Sequence, residues 1–153
     1  MIEPIRRTIV VRCSPERAFE VFTAETSSWW PFDSHSIAAD TERSRAERVV
    51  MEPRVGGRVY EVQADGAEAS WGEMRTWDPP RRLVLAWKPN DRQQPPTELE
   101  VTFEPHADGT AVTLEHRGWE RLGPRGDEAR EGYAIDWPKV FDERFGHAAN
   151  AAA

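Results

Sequence analysis

The chain has 153 residues, 39% of them hydrophobic and 31% charged, which predicts one domain over 1–153 with a packed core and excludes a disordered chain. A formal net charge of −7 disfavours a phosphate backbone as partner, so nucleic-acid binding is not expected. A lone cysteine, Cys13, excludes an intramolecular disulfide, and the absence of a leader or a long apolar run predicts a cytoplasmic protein without membrane insertion.

Taken in chain order, Ile5–Val11 is a β-rich run with Ile5, Arg7, Ile9 and Val11 on one face. Ser14-Pro15-Glu16 then carries a helix start: Ser as N-cap, Pro in the first turn and an acid near the positive end of the dipole. Ala18, Phe19 and Phe22 form the apolar stripe of that helix, and Thr26 to Pro31 is a second short helix or turn. A polar connection over 32–45 leads to a second strand, Ala46 to Glu52. Gly56-Gly57 opens a third, Val59 to Val62. Ala64-Asp65-Gly66 signals a hairpin, Trp71 to Trp77 the return strand, and Asp78-Pro79-Pro80 the turn into Leu83 to Trp87. Three strands joined by tight turns predict an antiparallel meander.

After a connection over 88–96, Glu98 to Glu104 alternates cleanly, with Leu99, Val101 and Phe103 on the buried face. Asp108-Gly109 turns the chain into Thr110 to Arg117, where Val112, Leu114 and His116 share the inward face. Residues 118–126 read as a Gly/Pro loop and Asp127 as the N-cap of a last helix. Tyr133, Trp137, Val140, Phe141, Phe145 and Ala148 lie at helical spacings along it. Pro138 either kinks this helix or begins a second segment. The ordered core is expected over about 5–147, ahead of a frayed Ala-rich tail.

The order G-G-R-x-Y, D-G, W-G-E and W-D-P-P-R-R-L-V-L-A-W along Gly56 to Trp87 resembles the stand-alone bacterial members of the SRPBCC (START-like) superfamily. The most similar subgroup is that of the activator of the ninety-kilodalton heat-shock protein ATPase. The segment T-L-E-H-R-G-W, Thr113 to Trp119, resembles one common in the family, and the collinear resemblance runs from about Arg6 to Phe145. It implies an α+β helix-grip fold, a strongly curved antiparallel sheet around a long C-terminal helix with two short helices after the first strand. It also implies a ligand cavity between sheet and helix.

The residues expected to line that cavity are Trp30, Tyr60, Met74, Trp87, His116, Tyr133, Trp137 and Phe141. Tyr and Trp bring an apolar body with one polar handle, and each of them, like Trp71, is equally read as ordinary core. His116 is either a polar group in the cavity wall or a buried imidazole bonded within the protein. Arg7 is either a cavity cation or a side chain reaching solvent. Asp33, Ser34 and His35 make a hydrolytic trio only as adjacent letters, without a nucleophile elbow. Cys13 is read as a structural thiol, and the acids as solvated or paired charges, with Glu61 and Glu73 expected near Arg58 or Arg75. Histidine spacing implies no metal, and no phosphate loop or cofactor motif is present. The sequence therefore predicts a binding domain for a small apolar or amphipathic molecule. The resemblance leaves two alternatives: a protein-interaction or stress-response module, with a protein partner or homodimer, and a cyclase- or hydrolase-like enzyme.

Overall fold

The computed structural model describes residues 1–32, 34–36, 39, 46–89 and 95–153. Parts of the two predicted connections, 32–45 and 88–96, lie outside these residues. The strands are β1 (Ile5–Val11), β2 (Ala46–Met51), β3 (Arg58–Gln63), β4 (Glu68–Asp78), β5 (Arg82–Trp87), β6 (Thr97–His106) and β7 (Gly109–Arg117). They form one seven-stranded sheet in the order β1-β7-β6-β5-β4-β3-β2, antiparallel at every pairing. From β2 onward the chain is thus a continuous meander, and β1 returns to its far edge beside β7.

Three register shifts bend the β2 to β5 half of the sheet, between Ala46 and Arg48, between Val59 and Tyr60, and between Met74 and Thr76. Each bulge adds local twist and re-aims a side chain. The second has the largest consequence. Val59 pairs with Gly72 and Tyr60 with Ser70, so Trp71 is the extra residue and turns to the concave side. That is why Trp71 and Met74, three positions apart, are both buried where strict alternation allows only one. Gly72 sits at φ 154° with Ala86 O only 1.8 Å from where a Cβ would be, so the close β4–β5 approach admits no side chain there.

The first helix, Pro15–Thr23, begins as its sequence dictates: Ser14 Oγ accepts from the Arg17 N–H at 3.2 Å. It buries Phe19 and Phe22 against Phe103 of β6 and, through Phe22, against Phe145 at a ring distance of 5.3 Å. A 3₁₀ turn, Thr26–Ser28, follows. At the other end, residues read as loop are partly ordered into a 3₁₀ segment, Trp119–Arg125, interrupted at Gly123. Its Trp119 is fully buried, with Nε1 donating to His116 O at 3.0 Å.

The long C-terminal helix lies across the concave face in three continuous segments: α over Gly126–Trp137, π over Pro138–Phe145, and α over Gly146–Ala151. Asp127 is not its cap. It lies inside the first turn with Glu128, where a carboxylate complements the helix dipole. Pro138 neither breaks nor frays the helix, because the wider π register begins at Pro138 and accommodates a residue with no N–H. The Ala-rich tail is docked rather than frayed: Ala149 is buried, and Asn150 Oδ1 accepts from the Arg12 N–H at 2.9 Å. Arg7 leans inward from β1 to pair with Asp142 of the π segment, a clamp between first strand and last helix rather than a cavity cation.

Candidate functional site

Between the C-terminal helix and the bulged half of the sheet lies a cavity of about 850 Å³ that opens to solvent. Its wall is built chiefly from Trp30, Trp71, Trp87, Tyr133 and Trp137. The indoles pack at mutual angles, with ring centroids 4.7 Å apart for Trp30–Trp71, 5.7 Å for Trp71–Trp87 and 6.0 Å for Trp87–Trp137.

Every indole N–H in this wall already has a partner inside the protein. Trp30 Nε1 donates to His35 O at 2.6 Å, and Trp71 Nε1 to Glu61 Oε1 at 2.8 Å. Trp87 Nε1 donates to Tyr133 Oη at 3.0 Å, and Trp137 Nε1 to His116 Nδ1 at 3.1 Å. The polar handles are thus spent on fixing ring orientation, and what the rings offer the cavity is apolar face and edge.

Two of these four partners, Glu61 and His116, are buried polar residues. Glu61, read from sequence as a surface charge, is fully buried on the concave side of β3 and also accepts from Gln63 Nε2 at 3.2 Å. Glu73 instead pairs with Arg75, and Arg58 with Glu68. His116 stands behind Trp137 rather than in the cavity wall. Because an indole only donates, Nδ1 is the acceptor and Nε2 carries the hydrogen, which it gives to Thr97 Oγ1 at 2.8 Å. Thr97 passes its own hydroxyl hydrogen to Trp87 O at 3.3 Å. Burial pushes the His116 pKa down to about 3, so the imidazole is neutral and fully committed. Burial likewise pushes the Cys13 thiol up, which suits a packed, inert side chain.

At the cavity mouth the polar groups differ in kind. Ser34 Oγ lies 2.6 Å from His35 Nδ1, and His35 Nε2 lies 3.3 Å from Asp136 Oδ1 on the C-terminal helix. Arg125 and Glu128 also line the cavity. Asp33, the acid adjacent in sequence, lies outside the described residues; among those described, the acid beside His35 is Asp136, about a hundred positions away on the C-terminal helix.

Among the residues expected from sequence to line the cavity, Trp30, Trp87, Tyr133 and Trp137 are brought together there, joined by Trp71. Met74 and Phe141 are fully buried in the core and outside the lining. Tyr60 is placed on the convex side, where Arg58 covers its ring at 4.2 Å, because strand parity sends Val59 and Glu61 inward. Ser34 and His35, read from sequence only as part of a trio of adjacent letters, and Ser36 and Asp136, which no motif marks, also line the cavity.

Comparison with known proteins follows this geometry. The family model described as "Activator of Hsp90 ATPase homolog 1-like protein" matches residues 12–146, and the chain belongs to that family. A solved anthrahydroquino-gamma-pyrone synthase is similar at 35% identity, with 95% of this chain and 96% of that one covered and a TM-score of 0.63. CalC from Micromonospora echinospora, described as a self-sacrificing resistance protein, is 26% identical over 97% and 94% of the two chains, with a TM-score of 0.70. A Mesorhizobium loti protein, 17% identical over 99% of both chains at a TM-score of 0.71, shares the fold. No curated protein matches the sequence.

Proposed function

We propose that this member of the family binds a flat, largely apolar aromatic molecule in the cavity between the sheet and the C-terminal helix. The carrying observation is the wall of tryptophans whose N–H groups are all spent within the protein. Such a wall rewards stacking and edge contact and makes no directional polar demand on a ligand. A volume of about 850 Å³ lies in the range of small-molecule sites, and polar side chains, Ser34, His35 and Asp136 among them, share the lining with the aromatic rings. The 35% identical synthase, by its description, makes a polycyclic aromatic product, which favours the same ligand class. It also favours a second reading, ring-forming catalysis in this cavity.

Gly132 supplies a clean test. It lines the cavity from the helix, and a Cβ there meets nothing within 4 Å. Gly132→Leu projects a bulky side chain into the cavity while improving helix propensity by about 0.5–1 kcal/mol. Titration with a hydroxyanthraquinone is expected to quench tryptophan fluorescence in the wild type, and at least tenfold more dye is needed in Gly132→Leu. Equal quenching in both proteins would place the binding elsewhere and remove this reading.

A further inference from the structure

The group at the cavity mouth has a geometry that stacking alone does not require. His35 Nε2 lies at an ion-pair distance of 3.3 Å from Asp136 Oδ1, and because a carboxylate only accepts, this contact favours the imidazole hydrogen on Nε2. Nδ1 is then left as the acceptor, and Ser34 Oγ sits 2.6 Å from it, so the serine hydroxyl is polarised toward the ring. All three side chains belong to the cavity lining, whereas His116, the other histidine near the tryptophans, is neutral and saturated. The position of His35 is fixed from both sides. Its carbonyl holds Trp30 of the aromatic wall, and its ring meets the C-terminal helix.

We propose that Ser34, His35 and Asp136 form a proton relay that takes the proton of a phenolic or enolic hydroxyl on the bound aromatic ligand. The inference rests on the aromatic-cavity reading above and specifies its ligand: a hydroxylated ring with its O–H at the mouth. In the transfer the ligand oxygen gives its proton to Ser34 Oγ as Ser34 passes its own to His35 Nδ1. The ligand becomes an oxyanion, Ser34 is unchanged, and the imidazolium is held against Asp136. Arg125 and Glu128, of opposite charge, also belong to the lining of this cavity.

The probe is alizarin, a hydroxyanthraquinone whose visible absorption moves to long wavelength when its phenol ionises. It is added at a pH where the free dye is neutral. Tryptophan quenching reads occupancy of the cavity, and the absorption band reads the protonation state of the bound dye. The expected result is quenching together with the phenolate band in wild type. His35→Gln and Asp136→Asn are expected to keep quenching within about threefold in dye concentration while the bound dye returns to its neutral band. Quenching with a neutral band in the wild type overturns the relay and leaves the binding reading standing. A phenolate band that persists in both variants also overturns it, assigning ionisation to Arg125. Absence of quenching in wild type fails the cavity reading itself. Because each variant must still quench to be scored, loss of fold is not mistaken for loss of relay.

Discussion

His116 couples the aromatic wall to the pH of the medium. Its ordinary pKa of 6.5 falls to about 3 on burial, so between these values the unfolded chain takes up a proton that the native one refuses. Stability contributed by this group is complete above about pH 6.5 and declines as the pH is lowered toward 3, by up to about 1.4 kcal/mol per pH unit. His116→Asn is expected to lose about 2 kcal/mol at neutral pH, since Trp137 Nε1 and Thr97 then lack well-placed partners. Its urea midpoint should nevertheless change less between pH 7 and pH 4.5 than that of the wild type. A variant with the wild-type slope would show that other groups set the acid response. Glu61 poses the parallel case on the opposite wall. Glu61→Leu strands the Trp71 N–H and is expected to cost about 1–3 kcal/mol, whereas Glu61→Gln, which retains an acceptor, costs less. Thermal melts of the pair compare the two, and equal losses would mean that shape rather than the hydrogen bond matters.

Elements in this protein are specified with unequal local strength. The first helix is written into Ser14-Pro15-Glu16, and Ser14→Ala should cost about 1 kcal/mol through the lost cap to Arg17 N, read by chemical denaturation. On the convex side of the sheet, Arg117 reaches Glu98, Glu100 and Glu115, while Arg82 and Arg6 hold Glu100 and Glu115 from outside. Burial alone would lower the Arg117 pKa, but its hydrogen bonds to Glu100, Glu115 and Glu98 outweigh that and raise it. Arg117→Ala leaves three carboxylates facing one another across β6 and β7. A loss of about 1 kcal/mol is expected at low salt, shrinking in about 0.5 M NaCl as the repulsion is screened. A loss that is independent of salt would point to the packing of the Arg117 stem instead.

At the scale of the whole molecule, the bulged sheet and the π segment of the last helix act on the same space. The bulge at Trp71 turns an indole inward, and the widened register from Pro138 carries the helix past Trp137 without a break. Between them the cavity remains open while Phe19, Phe22, Phe103 and Phe145 fill the other end of the concave face. Binding at the open end should therefore stabilise the entire fold by mass action, about 2.7 kcal/mol with ligand at a hundred times its dissociation constant. A melting temperature that rises with alizarin in the wild type but not in Gly132→Leu is the expected outcome.

Alternation and turn chemistry by themselves determined the strands, their meander order and the inward face of Val112, Leu114 and His116, because period-two burial and Gly-containing turns are local properties of a chain. The same parity, applied within β3, puts Tyr60 on the convex side, against its expected place in the cavity lining. Local pattern had no access to Trp71, whose direction depends on a bulge set by pairing with β3, nor to Glu61, whose charge type suggested water while its partner lay on the next strand. It likewise missed Asp136 beside His35. Two residues a hundred positions apart meet only when the last helix closes over the sheet, so the tertiary structure alone decided which side chains share the cavity mouth.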